Sequence, residues 1–478
     1  MIESGEQALS EEIKSVQPPL KFIAPNFNRF FLQIVQWSLP VLLRFRLRRW
    51  LPARIIRVET ENALELAKLY EQFQAGKVRF LMAFRHPEVD DPLSMLYLIS
   101  RAIPKNAREN GIKLKDPVHS HFIYERGMTI WAGDWLGKFF SFLGGFPIRR
   151  GKRVDRTGLQ TARDLFLNSN IPLAIAPEGA TNGHSGKVSP LEPGVAQLAF
   201  WCIEDLQKAN RSEEVFIVPI TIQYSYPNPP WKKLDWLLSK LEAMSGLETI
   251  SIDTSSKREE IYYQRILRLA ERLLSEMEDF YQRFYHQTLV PIDLDPSSDT
   301  TELIIARLHR LQDIALRVSE QHFGLPAQGN FIDRCRRLEE AGWSYIYRED
   351  LPSLDTLTPL TRGLADWVAT EAAKRMQHMR LVESFVAVTG TYIKDKPTFE
   401  RFAETTLLIY DMMSRLQDDT FPGRPNLGWR QSKVTVGKPI SVTQRWQSYK
   451  QDRQSARKTV TELTQDIHKA LQSMISNE

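Results

Sequence analysis

Cysteine is scarce in this chain: only Cys202 and Cys335 occur among 478 residues, far apart and without metal-ligand spacing. This excludes a disulfide scaffold and a thiolate zinc site, and it suits a reducing compartment. An excess of either charge is also missing, because 63 basic residues face 58 acidic ones. The resulting +5 is too small to imply nucleic-acid binding, so we expect no nucleic-acid partner. Hydrophobic and charged residues, at 42% and 25%, are in ordinary globular proportion.

Acidic residues are absent from a long N-terminal stretch, between Ile13 and Val58. The same stretch contains an apolar segment from Phe30 to Leu43 that is interrupted by two Gln, a Ser and a Pro. As a helix this segment spans roughly 21 Å, less than the ~30 Å hydrocarbon core of a bilayer. Nine basic residues accompany it: Lys14, Lys21, Arg29, Arg44, Arg46, Arg48, Arg49, Arg54 and Arg57.

Apolar, aromatic and arginine-rich sequence of this kind is typical of a helix that lies on an anionic leaflet. We therefore expect a membrane surface as a partner, and a location on the cytoplasmic face of a membrane, peripheral or monotopic. The alternative is a core helix followed by a solvated basic loop.

Strand and helix patterns alternate from residue 58 to about 226, which predicts an α/β fold with a mostly parallel central sheet flanked by helices. Long amphipathic windows between about 257 and 419 predict a helical module. A strand pattern returns at 433–440, and we expect it to join the earlier sheet, which makes the helical module an insertion. The predicted domains are a membrane-interfacial segment at 1–57, the α/β domain at 58–250, the helical insertion at 251–425, and a closing strand with a C-terminal helix at 426–478.

The sharpest chemical signal is the nonapeptide FRHPEVDDP, which runs from Phe84 to Pro92 after a predicted buried strand. Binding sites in open parallel sheets lie at the carboxyl ends of the strands. His86 is a candidate general base there, and Asp91 is placed to hold its other ring nitrogen. Asp90 competes for that role. The alternative is that Asp91 only caps the next helix and His86 is a core residue.

Three further motifs also lie at strand ends or in a strand. The sequence GGFPIRRGKR, which ends at Arg153, places four cations after two glycines and suits a phosphate group. Glu178 and Gly179 follow an apolar strand and could line a polar pocket, although Pro-Glu-Gly is also common in turns. Pro219 lies inside an apolar strand and therefore indicates an edge or an opening in the sheet.

In this order, H-x-x-x-x-D, G-G-x-x-x-R-R, P-E-G and V-P-I resemble the motifs of the glycerolipid acyltransferase superfamily, which includes the 1-acylglycerol-3-phosphate acyltransferases. The resemblance implies that His86 deprotonates an acceptor hydroxyl and that Asp91 orients His86. It also implies that Arg149 and Arg150 bind the acceptor phosphate, that Glu178 and Gly179 contribute to acceptor binding, and that Pro219 belongs to the acyl-binding side.

The implied reaction is direct transfer of a fatty acyl group from acyl-CoA or acyl carrier protein to a hydroxyl of a glycerolipid or lysophospholipid. The acyl donor and the lysolipid acceptor are thus expected partners, and no cofactor or metal is expected. No G-x-S-x-G elbow offers a protein nucleophile.

Two departures from the family motifs leave other hypotheses open. Arg85 stands where Asn is common, and Ala180-Thr181 stand where many members have Thr-Arg. These changes motivate a catalytically idle acyltransferase-like protein that binds lipid or a partner. A third hypothesis is a metallohydrolase that uses His86, Asp90 and Asp91, with His119 and His121 as further ligands.

Overall fold

The computed structural model describes nine stretches of the chain: residues 15–45, 53–129, 133–149, 155–249, 258–293, 299–351, 353–385, 391–417 and 423–476. Lys14, Arg46, Arg48, Arg49 and Arg150, named above as basic candidates, lie outside them. The chain divides into two units. A sheet unit comprises Phe22–Arg149, Val154–Asn228 and Gly428–Glu478, and a helical unit comprises mainly Pro229–Leu427.

The described residues contain eight strands in one sheet, in the order β1-β7-β6-β2-β5-β3-β4, with β8 also beside β6. All neighbouring strands are parallel except β6 with β7 and β6 with β8. The strands are β1 Ile55–Glu61, β2 Val78–Phe84, β3 His121–Glu125, β4 Gly145–Ile148, β5 Leu173–Ile175, β6 Glu214–Ser225, β7 Arg430–Val436 and β8 Ile440–Ser441.

The helices precede, connect and follow these strands. The predicted fold class, α/β with a mostly parallel sheet flanked by helices, is confirmed. A π-helical turn, Leu98–Ala102, joins α3 to α4. The α-helices are α1 Arg29–Arg44, α2 Ala63–Gln74, α3 Asp91–Tyr97, α4 Ile103–Glu109, α5 Asp134–Phe142, α6 Arg156–Asn168, α7 Gly194–Lys208, α8 Trp231–Met244, α9 Arg258–Tyr285, α10 Thr300–Phe323, α11 Phe331–Ile346, α12 Pro359–Phe385, α13 Thr391–Asp395, α14 Phe399–Leu416, α15 Trp446–Tyr449 and α16 Arg453–Ser476.

Alternate side chains of β2 enter two hydrophobic cores, one on each face of the sheet. Phe80 and Met82 pack in a core shared with α1, α2, α3 and α4, whereas Leu81 and Ala83 pack in a core shared with α6, α7 and α16. Every residue of β2 is buried, because a parallel strand in mid-sheet has helices on both faces. The buried strand β2 therefore ends at a fixed point on the edge of the sheet.

The chain returns to the sheet after the helical unit, as the sequence predicts. Strand β7 is inserted between β1 and β6, parallel to the first and antiparallel to the second. Residues that follow the helical unit thus lie beside strands that precede it.

Several elements differ from the prediction. Strand β1 and helices α8 and α11 are not predicted from the sequence. The single C-terminal helix expected within 426–478 is instead a short α15 followed by α16. Asp452 separates the two, because its carboxylate accepts hydrogen bonds from the backbone amides of Gln454 and Ser455.

Buried ion pairs connect the helices of the helical unit. Arg265 in α9 is fully buried and donates to Glu242 in α8, with an N–O distance of 2.8 Å. Arg334 in α11 pairs in the same way with Glu320 in α10, at 2.8 Å. Removal of either partner would leave a buried ion unpaired, which is strongly destabilising.

Candidate active site

His86 lies just beyond the end of β2, at the edge where the parallel strands β6, β2, β5, β3 and β4 all end. Its Nδ1 is 3.1 Å from Oδ2 of Asp91. The His86 side chain is 24% exposed, whereas the Asp91 carboxylate is fully buried. We assign the proton to Nδ1, because its neighbour is an acceptor. The lone pair of Nε2 is then available to take a proton from a hydroxyl group.

Asp91 accepts two hydrogen bonds besides that of His86. The Glu88 amide donates to Oδ2 at 2.7 Å, and the Tyr224 hydroxyl donates to Oδ1 at 2.5 Å. Burial raises the pKa of Asp91 above its usual value, while these donors and His86 oppose the rise. Burial also holds the pKa of Tyr224 far above its usual value, so the hydroxyl remains a donor. The carboxylate is therefore fixed in orientation by partners from two elements.

Asp90, the residue before Asp91, has a different partner. Asp90 Oδ2 is 2.5 Å from Nη2 of Arg430 at the start of β7, and both side chains are buried. Burial raises the pKa of Asp90 to about 6, and Arg430 opposes this rise. Asp90 occupies the N-cap position of α3, but its side chain makes no capping bond, and α3 begins at Asp91. Asp91 is therefore not the residue at the N-cap position, and Asp91 rather than Asp90 contacts the imidazole.

Glu178 follows β5, the strand next to β2, and is fully buried against Arg85. The Arg85 Nε donates to Glu178 Oε1 at 3.2 Å, and the backbone amide of His86 approaches the same oxygen at 3.4 Å. Oε2 accepts from the Asn182 side chain and from the Ser189 amide, at 2.9 and 2.8 Å. Both oxygens of Glu178 are thus engaged by protein donors, and they tie this loop to the backbone of His86.

Arg85 also holds the loop that follows Glu178. Its guanidinium donates to the carbonyls of Ser185 and His184, at 2.6 and 3.0 Å, and to that of Lys187. Gly179 adopts a φ of +73°, which a side chain would strain, so glycine is needed for the turn itself. The departure from Asn at position 85 therefore adds a buried cation that organises the loop.

Arg149 is half-buried directly after β4, and its amide donates to Asp155 at 2.7 Å. Asp155 caps α6 through Gly158 and also pairs with Arg126. Three strand spacings separate β2 from β4, which is roughly 14 Å. The structure thus places Arg149 on the same edge of the sheet as His86, while Arg150 lies outside the described residues.

Pro219 is buried in mid-strand, although β6 is an interior strand and not an edge. Strand β7 pairs with β6 from Ile220 onward, and β8 pairs with it up to Ile217. Pro219 falls in the gap between these two partners, so its missing N–H removes no ladder bond there. The amide of Gly437, directly after β7, donates to the Pro219 carbonyl at 2.8 Å, so neither the predicted edge nor the predicted opening is found at Pro219.

His119 and His121 are buried and hydrogen-bonded to backbone carbonyls. His119 Nε2 is 2.8 Å from the Leu143 carbonyl, and His121 Nδ1 is 2.8 Å from that of Gly144. Burial lowers the pKa of His119 to about 4, so it is neutral at neutral pH. In the parts of the chain that the structure describes, no group of three or more His, Cys, Asp or Glu side chains is placed to hold a metal ion.

Sequence reasoning missed two residues of this site, Tyr224 and Arg430. Tyr224 is the eleventh residue of a twelve-residue strand, and its sequence pattern does not distinguish it from a packed aromatic. Arg430 begins a strand whose return to the sheet is predicted, but nothing in the sequence indicates its register. The pairing of β2 with β6 brings Tyr224 beside Asp91, and the pairing of β6 with β7 brings Arg430 beside Tyr224.

Residues 112–223 match the family model described as Acyltransferase. The match includes Arg149, Glu178, Gly179 and Pro219, and it begins after the segment that contains His86. No curated protein and no solved structure matches the chain. The match supports the resemblance to the superfamily that the motifs indicate.

Proposed function

We propose that this protein transfers a fatty acyl group from a thioester to a hydroxyl of a lysophospholipid-type glycerolipid. The match of residues 112–223 to the Acyltransferase family supports the acyl-transfer part of this proposal. The observation that carries this proposal is the His86–Asp91 pair at the edge of the sheet, with a partly exposed imidazole on a buried carboxylate. A base held by an acid in this way contributes roughly 10²–10⁴-fold to proton transfer.

In the proposed reaction, His86 Nε2 takes the proton of the acceptor hydroxyl while the oxygen attacks the thioester carbonyl. The C–S bond then breaks and the new ester C–O bond remains. The leaving thiolate receives the proton from His86, so the imidazole returns to its starting state. Asp91 stays ionised and stabilises the imidazolium between the two steps.

We assign the acceptor phosphate to the basic sequence that begins at Arg149, because an arginine fork binds a phosphate bidentately. Glu178 does not act by direct contact with the acceptor. Both of its carboxylate oxygens accept hydrogen bonds from protein donors, which include the backbone amide of His86. We therefore propose that Glu178 positions the base. Contacts of Gly179 with the acceptor and of Pro219 with the acyl chain remain predictions.

We further propose that α1 and α5 form the surface that binds an anionic membrane. One face of α1 is buried through Leu32, Val35, Leu39 and Leu43. The opposite face exposes large apolar side chains at helical spacing, and α5 adds two more. This apolar surface consists of Phe30, Ile34, Trp37, Val41 and Phe45 with Trp135 and Phe142.

Helices α1 and α5 are in contact at this surface. The rings of Phe31 and Phe142 lie 5.4 Å apart, and the Asn28 amide donates to the Phe142 carbonyl. Exposed Arg29, Arg44 and Lys138 flank the apolar side chains. Apolar side chains bordered by cations suit the interface of an anionic leaflet. No helix of the described chain is long and apolar enough to cross a bilayer.

The test of the reaction is release of free thiol from acyl-CoA and acyl carrier protein thioesters, measured with a panel of lysophospholipid acceptors. We expect acceptor-dependent thiol release by the wild type and its loss in His86→Ala. The matched control is His309→Ala, since His309 is exposed in α10. Unchanged turnover in His86→Ala would refute the assignment of the base. Lipid binding without thiol release across the whole panel would favour the idle, lipid-binding alternative.

A further inference from the structure

We propose that Tyr224 and Arg430 are positioning residues of the candidate active site, which together keep Asp91 oriented and ionised for His86. This inference rests on the proposed function, because it concerns how the same His–Asp pair is held. It also extends the site to the strand that follows the helical unit.

Tyr224 acts on Asp91 directly. Its hydroxyl donates to Oδ1, the oxygen that neither His86 nor the Glu88 amide contacts. Without it, one oxygen of a fully buried carboxylate has no partner among these contacts. Such an oxygen favours the protonated acid, and a protonated Asp91 cannot stabilise an imidazolium.

Arg430 acts through the neighbouring acid. It pairs with Asp90 at 2.5 Å, and its guanidinium carbon lies 4.6 Å from the centre of the Tyr224 ring. It is anchored by its own backbone amide on the Arg54 carbonyl and by Nη2 on the Ala53 carbonyl. Arg430 therefore lies against both the second acid and the tyrosine that holds the first.

The balance of charge around Asp90 and Asp91 explains why both Tyr224 and Arg430 are needed. Asp90 and Asp91 are adjacent and fully buried, and two carboxylates in one site cannot both ionise easily. Arg430 compensates the charge of Asp90, and this leaves the charge of Asp91 for His86. The charged or titratable groups that act on Asp90 or Asp91 are His86, Glu88, Tyr224 and Arg430, besides the two acids themselves; Arg430 acts on Asp90 and on Tyr224.

The main test compares Tyr224→Phe with Tyr70→Phe in the full-length protein. Both substitutions remove one buried hydroxyl, but Tyr70 donates to the His119 carbonyl and does not contact the acids. We expect the acid limb of the kcat–pH profile of Tyr224→Phe to move upward by about one pH unit, as for a carboxylate that loses one hydrogen bond. The KM of Tyr224→Phe should remain that of the wild type. The kcat–pH profile of Tyr70→Phe should also remain that of the wild type. An unchanged acid limb in Tyr224→Phe would overturn the role of Tyr224.

A second measurement does not depend on turnover. Nitrogen-15 NMR of the imidazoles, with His86 assigned by its loss in His86→Ala, reports which ring nitrogen carries the proton. We expect the Nδ1-protonated form in the wild type and a mixture of tautomers in Tyr224→Phe. The same tautomer in both proteins refutes the inference, whether or not thiol is released. The expected mixture without any thiol release refutes only the proposed function.

The contribution of Arg430 is tested by rescue. Arg430→Met leaves Asp90 without its cation, and we expect lower kcat at neutral pH. The double variant Arg430→Met/Asp90→Asn removes both charges, so kcat should recover most of the loss. If the double variant is as slow as Arg430→Met, Arg430 does not act through Asp90.

Discussion

The guanidinium of Arg85 and the carboxylate of Glu178 form a fully buried ion pair that joins the ends of two adjacent strands, β2 and β5. The residue before the candidate base is thus bound to the acid of the neighbouring strand-end loop. Because that acid also lies 3.4 Å from the His86 amide, the pair fixes the backbone from which the imidazole projects.

Replacing Arg85 by Met should destabilise the protein, because Glu178 would remain buried without its cation. We expect a loss of about 3–5 kcal/mol in the free energy of unfolding. The control is Arg265→Met, which breaks another fully buried Arg–Glu pair, in the helical unit. Denaturant unfolding should show a loss in both variants, and thiol release by folded protein should fall only in Arg85→Met. Equal activity of the two folded variants would contradict the positioning role of Glu178.

The two acids beside His86 should differ in their effect on turnover. Asp91→Asn removes the carboxylate that contacts the imidazole, and we expect kcat to fall by roughly 10²–10⁴-fold. Asp90→Asn removes only the partner of Arg430, so its loss should be much smaller. Steady-state kinetics measure kcat for the two variants. A larger loss of kcat in Asp90→Asn than in Asp91→Asn would assign the orienting role to Asp90.

Membrane binding should depend on the apolar surface of α1. Phe30 is 70% exposed and Trp37 is 76% exposed, and polar replacements of both should release the protein from anionic vesicles. The matched control is Leu360→Ser/Trp367→Ser in α12, where the side chains are 75% and 68% exposed. Co-sedimentation with vesicles of mixed neutral and anionic phospholipid measures the effect. Equal binding by Phe30→Ser/Trp37→Ser and the wild type would refute this surface.

Stability should fall as the pH drops from about 6.5 to about 4, in part because of His119. Burial lowers the pKa of His119 from 6.5 to about 4, so within this window the unfolded chain binds a proton that the folded chain does not. Asp90, whose pKa burial raises to about 6, acts in the opposite direction.

The contribution of His119 is therefore measured as a difference in the slope of melting temperature against pH. The melting temperature of His119→Asn should decline less steeply with falling pH than that of the wild type. His309→Asn, which changes an exposed residue, should keep the wild-type slope. Parallel slopes for all three proteins would contradict the neutral, buried state of His119.

The sheet and the location of the base could be predicted from the sequence. The apolar segment that becomes β2 is buried on both faces, and such a strand has to end at a shared edge where His86 follows. The spacing of five residues to Asp91 allowed a contact across one tight turn. It could not separate Asp91 from Asp90, because that choice depends on the direction of each side chain.

The supporting contacts could not be predicted, because they join residues that are distant in sequence. Arg430 reaches Asp90 across 340 positions, and Tyr224 reaches Asp91 across 133. The first contact depends on the register of β6 with β7 and the second on the register of β2 with β6, and no local pattern reveals either register. In the sequence Arg85 is visible only as a departure from a motif, and the structure pairs it with Glu178.

The position of β7 between β1 and β6 has a consequence for synthesis of the chain on the ribosome. Strand β1 pairs only with β7 among the described strands, so until β7 emerges it has no neighbour and the nearby side of β6 is uncovered. At about 5–20 residues per second, the helical unit delays β7 by roughly 10–40 seconds. During this time two open strand edges are exposed to other nascent chains, and we expect chaperones to engage the protein at this stage.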